Sequence, residues 1–382
     1  MDNIEKKSLH NICDKANMLR YLKIFLVTVG IHWVIMGLAY ILFYKLGGTT
    51  KDLFSYFYEK YNVCGDTEHY INIAKNGYYS SGEYANLIVF YPLYPLLIRI
   101  VSFIVPNYFI AGVLISNVCL GVSGCYLYRL VNKELGADKA VDSLMIYLVY
   151  PFGVFTVTVF TESLFLMLAL MCLTYIKEEK WFAVGITGLL AALSRSQGIA
   201  LLVPAVYEAI LYMKRQKKFK FNCLWVLQIP CGTFIYLLIN QIVQGDWRAF
   251  VEHQKAEPWY NTSHWISDNL VQHFNSAIDY SYLSWLIYWV QIILYFVGIV
   301  ALVYGLYKGV SKSLIAFGGA YIFLSYLHGW LISGPRYMMC CVTLYIVYAS
   351  IDNRRIKGAI LALCSVLAVF YTLLSIQGHA IM

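Results

Sequence analysis

The chain reads as an all-α protein that crosses a membrane many times, and three observations predict it. Its 382 residues are 60% hydrophobic and only 13% charged, whereas soluble domains carry about 25% charged residues. Its apolar residues gather in runs suited to a bilayer core about 30 Å thick, which takes roughly 20 helical residues to cross. Its basic residues fall in short clusters between those runs. The mean hydropathy is +0.62, and 17% of residues are aromatic, with 34 tyrosines. Tyr and Trp gather at membrane interfaces, where one end of the ring is apolar and the other wet.

The basic clusters set the topology. They run from Lys6-Lys7 to Lys23, then Arg129 to Lys139, Lys177 to Lys180, Lys214 to Lys220, Lys308 to Lys312 and Arg354 to Lys357. Placing all of them in the cytoplasm predicts about eleven spans: 22–45, 108–130, 140–155, 160–176, 181–195, 198–213, 224–243, 284–307, 313–331, 336–350 and 358–376. The N-terminus is then inside and the C-terminus outside, with 22–45 an uncleaved first helix. Spans near 16 residues imply tilt or local thinning. Two long segments, about 46–107 and 244–283, face outward. Pro92 and Pro95 suit a helix start, so 92–104 is expected as a short helix in the outer interface. The whole chain, 1–382, forms one membrane-embedded domain.

The net charge of +8 is spent on these clusters rather than on one stripe, which argues against nucleic acid. The ten cysteines are scattered, mostly in apolar runs, and read as small buried hydrophobes rather than metal ligands.

This topology sends nearly all the polar residues within apolar runs to the outer face. Asp66 and Glu68 lie in the first outer segment. Glu162, Arg195, Asp246 and the pair His328 and Arg336 lie at successive outer turns. A charge at mid-bilayer costs about 2.5–3.5 kcal/mol on insertion scales, so several at one level predict a shared, wet cavity. Each also has a plainer role. Asp66 is placed to cap a helix over 67–76 closed by Asn76-Gly77. Glu162 suits a helix N-terminus, Arg195 and Arg336 could reach headgroups, and Asp246 suits a turn after Gly245. His253, His264 and His273 lack metal spacing and are expected at the surface.

Carboxylates facing arginines across an outer cavity suit transfer of a group from a phosphate-linked donor. A carboxylate can take the proton of an attacking hydroxyl, and arginines can hold the departing phosphate through paired hydrogen bonds. No P-loop or Rossmann glycine pattern is present, so the donor is expected to be membrane-bound.

At these residues the sequence resembles a known family. Asp66-x-x-His69-Tyr70-x-x-Ile73-Ala74-x-x-Gly77-Tyr78 resembles the first-loop motif of the PIG-V-type mannosyltransferases, members of the GT-C class of integral membrane glycosyltransferases. In order, Phe90-Tyr91-Pro92-Leu93-Tyr94-Pro95-Leu96, Ala111-Gly112 to Ser116-Asn117, Tyr150-Pro151-Phe152 to Phe165, Ser194 to Gly198, Gly245-Asp246 to Gln254, and Pro335-Arg336-Tyr337 resemble later landmarks. The resemblance covers roughly 20–350. It implies a polyprenyl- or dolichyl-phosphate sugar donor, usually mannose, inversion at the sugar, and Asp66 as base. One departure is Gly65, where the family usually has Trp. Arg195 and Arg336 are then the candidates for the donor phosphate, and Glu162, His69, Tyr70, Asp246 and His328 for sugar or acceptor. Tyr78, Tyr91, Trp247 and Trp259 are candidates to stack on sugar rings.

Residues i and i+2 of a helix do not share a face, so Glu68 is auxiliary to Asp66. The resemblance carries no cofactor requirement; if a divalent metal binds, Asp66 and Glu68 are its candidate ligands. The acceptor could be lipid, glycan or protein. Compact loops favour a bacterial cytoplasmic membrane, with the active site outside. The alternative is the endoplasmic reticulum, where Asn261-Thr262-Ser263 would be a glycosylation sequon. Two other function classes remain: a flippase for a lipid-linked sugar, which predicts polar groups in both leaflets or inverted repeats, and a non-catalytic subunit, which has no need of Asp66.

Overall fold

The structure, a computed structural model, describes residues 2–279, 285–329 and 333–379. The ends of the expected spans at 284 and 331, and part of the turn between His328 and Arg336, lie outside the described residues. Within them the elements are helical, with one isolated antiparallel bridge between Ser263 and His328. The protein is an all-α, multi-pass membrane protein.

Helix α1 (Asp2–Lys45) is 44 residues long, and its apolar span begins at Asn17. The segment that follows α1 is itself folded. Helix α2 (Leu53–Asn62) starts where the Asp52 carboxylate accepts from the amides of Phe54 and Ser55. Helix α3 (Asp66–Asn76) ends at Gly77, whose φ of 80° lets its amide turn back to the Ile73 carbonyl. A 3-10 turn (Glu83–Val89) leads into α4 (Leu93–Ser102), the short helix expected at 92–104, and the two meet at 109°. Pro92 immediately precedes α4 and Pro95 falls in its first turn, where no amide hydrogen is needed.

Helices α5 (Tyr108–Leu135) and α6 (Ala137–Leu148) form a hairpin at Gly136. The short α7 (Val154–Val157) precedes α8 (Glu162–Lys177) and α9 (Trp181–Ser194). Then come α10 (Leu202–Gln216), α11 (Gln228–Gln244), α12 (Ala249–Lys255) and α13 (Ile266–Asp279). Helices α14 (Val290–Tyr307), α15 (Lys312–Tyr326), α16 (Gly334–Met339), α17 (Val342–Ala349) and α18 (Arg354–Gln377) complete the chain.

Among the described residues, six stretches are long and apolar enough to cross a bilayer: Asn17–Lys45, Tyr108–Leu135, Ser196–Gln216, Phe221–Gln244, Ile287–Tyr307 and Arg354–Gln377; the bent 3-10–α4 pair would make a seventh. The remaining expected spans are shorter helices. The 140–155 span stops at Leu148, and 336–350 is broken between α16 and α17 at Cys340-Cys341. The brevity of α8 has a physical basis. Nearly all of its side chains are buried, and it packs against α5 on one side and α9 on the other. A helix walled off from lipid by its neighbours has no hydrocarbon thickness to match. Close approach of α1 to α5 rests on Gly121 and Gly124, where a Cβ would meet Phe25 at 2.4 Å and Thr28 at 2.3 Å.

The basic clusters meet at one end of the bundle. Arg129 grips Glu178 through Nε and Nη2, each at 2.7 Å. Lys177 bonds Glu208 at 2.8 Å and lies 3.3 Å from Glu134. Lys139 and Lys308 share Asp352, and Lys357 pairs with Asp142. Lys177 ends α8 and Glu162 begins it, so the second polar centre sits one helix length away, roughly 24 Å at 1.5 Å per residue.

Candidate active site

That second centre is built from four elements distant in sequence. The first turn of α8 presents Glu162, the end of α9 presents Arg195, α16 presents Arg336, and the first turn of α3 presents Asp66. Glu162 is completely buried. Its Oε1 accepts from Arg195 Nη1 at 2.7 Å and from Arg336 Nε at 2.9 Å. Arg336 Nη2 reaches on to Asp66 Oδ2 at 2.9 Å, and Arg195 Nη1 also touches Thr161 Oγ1 at 3.3 Å. Two carboxylates and two guanidiniums therefore form one chain of charge, neutral in sum, ordered Arg195, Glu162, Arg336, Asp66.

Aromatic rings hold the guanidiniums in plane. The Arg336 guanidinium carbon lies 5.0 Å from the Phe155 ring centre and 4.7 Å from that of Phe160, and Arg195 lies 5.2 Å from that of Tyr337. Cation–π contact favours charge in a dry site, and a partnered buried charge avoids the penalty that an isolated one carries. The side-chain hydrogen bonds described for Arg195 all use Nη1, leaving Nε and Nη2 for a ligand. Asp66 gives one oxygen to Arg336, and no hydrogen bond is described for the other.

A cavity of about 400 Å³ opens in front of this chain. Asp66, Tyr70, Arg195, His328 and Arg336 line it. Residues between Gln254 and Asn261 form its roof. Asn240 and Gln244 at the end of α11 bond the Phe250 amide and the His253 ring, and Gln244 also ties down the Tyr79 and Ala85 carbonyls. That anchoring brings Gln254 and Trp259 over the cavity. The Trp259 indole N–H is buried on this wall without a partner among the described residues. Burial pushes the Tyr70 phenol above its usual range, with Asp66 and Glu162 adding to the effect, so Tyr70 remains a proton donor at neutral pH.

Several expected site residues lie elsewhere. Glu68 is exposed and does not reach the cavity. Asp246 is exposed in a turn, where its carboxylate accepts the Arg248 amide at 2.8 Å. His69 sits one layer back, its ring centre 5.1 Å from Phe90 and 5.3 Å from Trp259; burial holds its imidazole below the usual value. Glu162 is behind the arginines rather than on the cavity wall, where it holds both guanidiniums. Tyr91 and Trp259 line the cavity, whereas Tyr78 bonds the Phe90 carbonyl and Trp247 packs on Phe234. Asp66 is not a cap. Gly65 holds that position, α3 has no side-chain cap, and Asp66 is the first helical residue. His273, expected at the surface, is buried. Among the described residues no three His, Cys, Asp or Glu side chains converge as a metal site would require. Tyr337, Gln197 and the serines on either side of Arg195 were not foreseen as cavity residues; Tyr337 and the serines flank charged residues already singled out.

A family model described as dolichyl-phosphate-mannose-protein mannosyltransferase matches residues 91–241. That stretch is similar to membrane glycosyltransferases. It contains Tyr91, Glu162 and Arg195, and stops short of Asp66, Asp246 and Arg336. No curated protein matches the chain.

Proposed function

We propose that this protein is a glycosyltransferase that moves a sugar, mannose in the reading the resemblances favour, from a polyprenyl-phosphate donor to an acceptor hydroxyl at the outer face of its membrane. The donor phosphate sits against Arg195 and Arg336. Asp66 is the general base. As the acceptor oxygen bonds to the sugar C1, its proton passes to Asp66, and the C1–O bond to phosphate breaks with the electron pair leaving on the phosphate. The sugar inverts. A phosphodiester donor carries one negative charge and its monoester product gains more, so fixed guanidiniums stabilise the product side most.

The observation that carries this reading is the shared Glu162 oxygen. It sets two guanidiniums side by side with unused N–H groups toward a cavity that also holds Asp66. An anion arriving there also competes with Asp66 for Arg336, loosening the base as the donor binds. The flippase reading needs a polar path along the bundle. Between Glu162 and Lys177, α8 is instead buried and almost wholly apolar, from Leu164 to Leu173. The gathering of basic loops at the far end supports a site at the outer face.

The test is transfer of radiolabelled mannose from polyprenyl-phosphate mannose into whole membranes, comparing wild type with Asp66→Asn. Because Asp66 makes no cap bond, the variant should fold. Loss of a general base lowers the rate by about 10²–10⁴-fold. Transfer within a few-fold of wild type in a folded Asp66→Asn protein would remove the proposal.

A further inference from the structure

A second cavity, of about 390 Å³, lies behind the charged chain. Its walls include Cys64 and Gly65, which immediately precede Asp66, and the rings of Phe155 and Phe160, on which the Arg336 guanidinium rests. One layer of side chains and the backbone at Gly65 therefore separate the two cavities. Gly65 has φ 54° and ψ −132°, a conformation that side-chain-bearing residues rarely adopt. The missing side chain also leaves that partition thin. The outer wall comes from α2 and the end of α18, pinned together by Tyr61 to Ser375 at 2.9 Å and Tyr56 to the Ile376 carbonyl at 2.8 Å.

Inversion sets the attacking hydroxyl and the leaving phosphate on opposite faces of the sugar C1, so the two substrates approach from opposite sides, with the base beside the hydroxyl. Resting on the function proposed above, we infer that this second cavity admits the acceptor, and that the acceptor is an anionic, lipid-linked molecule with a free hydroxyl. Its lipid character follows from the mouth. It opens at the end of α18, a membrane span, beside Val63, which lines the cavity and is 65% exposed. Its charge follows from Lys60. Lys60 lines the cavity and has no described ion-pair partner, whereas Glu59, which also lines it, is neutralised by Lys51. A phosphate or a carboxylate on the acceptor would serve equally. The hydroxyl delivered past Gly65 gives its proton to Asp66 and its oxygen to C1, while the phosphate leaves into the first cavity.

The experiment uses the full chain in nanodiscs with polyprenyl-phosphate mannose and a total lipid extract of the producing cells, separated into anionic and neutral fractions. Transfer into the anionic fraction alone is expected. Val63→Trp, which plugs the mouth from an exposed position, should lower that transfer at least about tenfold. Its binding of polyprenyl phosphate should stay within about twofold of wild type. Lys60→Gln should raise the amount of extract needed for half-maximal rate, and Lys60→Arg should restore it. Transfer into the neutral fraction, no transfer into either fraction, unimpaired transfer by Val63→Trp, or weakened polyprenyl phosphate binding by that variant would each overturn the inference. Transfer by wild type into whole membranes, lost in Asp66→Asn, would still leave the proposed function standing in all four cases.

Discussion

The two ends of α8 carry charged clusters built from the same residue types, and they differ in what is left unpaired. At the far end, the Lys177 ammonium has three donors and three neighbours to take them: Glu208, Glu134 and Ser311. Its small cavity, about 170 Å³, adjoins these and other charged residues such as Glu179 and Arg215. At the near end, two arginines crowd one oxygen of Glu162, the other oxygen is buried without a partner among the described residues, and N–H groups of Arg195 remain unused. A cluster that closes on itself holds helices together. A cluster that keeps polar valence in reserve beside a cavity of about 400 Å³ is suited to a ligand.

Removing the central carboxylate from each cluster tests that contrast most severely. Glu162→Ala leaves the buried Arg195 without an anion and Arg336 with Asp66 alone, and breaking a buried pair costs about 3–5 kcal/mol. A large loss of thermal stability and complete loss of transfer are expected. Glu208→Ala removes one of several partners from a partly exposed lysine, so a cost of about 1–2 kcal/mol, between exposed and buried pairs, is expected. Melting in detergent with a transfer assay reads both. Equal destabilisation by the two variants would erase the distinction drawn here.

Exchanging cation types is a gentler test. Arg336→Lys keeps the charge but cannot bond Glu162 and Asp66 at once in the same plane or spread over the Phe155 and Phe160 rings. Transfer should fall roughly 10–100-fold, the scale of about 1.4–2.7 kcal/mol. Lys177→Arg should leave transfer unchanged, because that cluster touches no substrate.

The smallest effect is with pH. Burial holds the His69 imidazole below its ordinary value of 6.5. The folded protein therefore resists a proton that the unfolded chain accepts. This stability is full above about pH 6.5 and is lost as pH falls from there toward the lowered folded value. Melting temperature should drop between pH 7 and pH 5, and His69→Gln should make the drop shallower. The Lys177 cavity has no lining histidine, so Glu208→Ala should leave the slope as it is.

Much of this contrast was legible in the sequence, for a physical reason. Charge in a membrane is costly enough that Asp66, Glu162, Arg195 and Arg336 could be grouped from topology alone, and the structure joins all four. The helical period separated Glu68 from Asp66 correctly. Other features depended on the chain path. Glu162 was read as facing sugar because sequence marks a polar residue without showing which partner stands in front of it. A capping role for Asp66 stayed open beside its role as base because residue type does not reveal that Gly65 takes the cap position with a positive φ. Asp246 kept only its turn role. Trp259 reaches the cavity through anchors at Asn240 and Gln244, which no local pattern announces. Helices α8 and α9 match their expected spans in place and length, whereas α15 ends at Tyr326, short of the expected 331; that α8 is shielded from lipid is a property of packing.

The central claim is that the near cluster holds a phosphate opposite Asp66. The most direct test is an experimental structure of the protein with polyprenyl phosphate bound. The account predicts the phosphate oxygens within hydrogen-bond distance of both Arg195 and Arg336, with Asp66 facing them across the first cavity. A phosphate seated elsewhere, at Lys60 in the second cavity or at the Lys177 end, would contradict it.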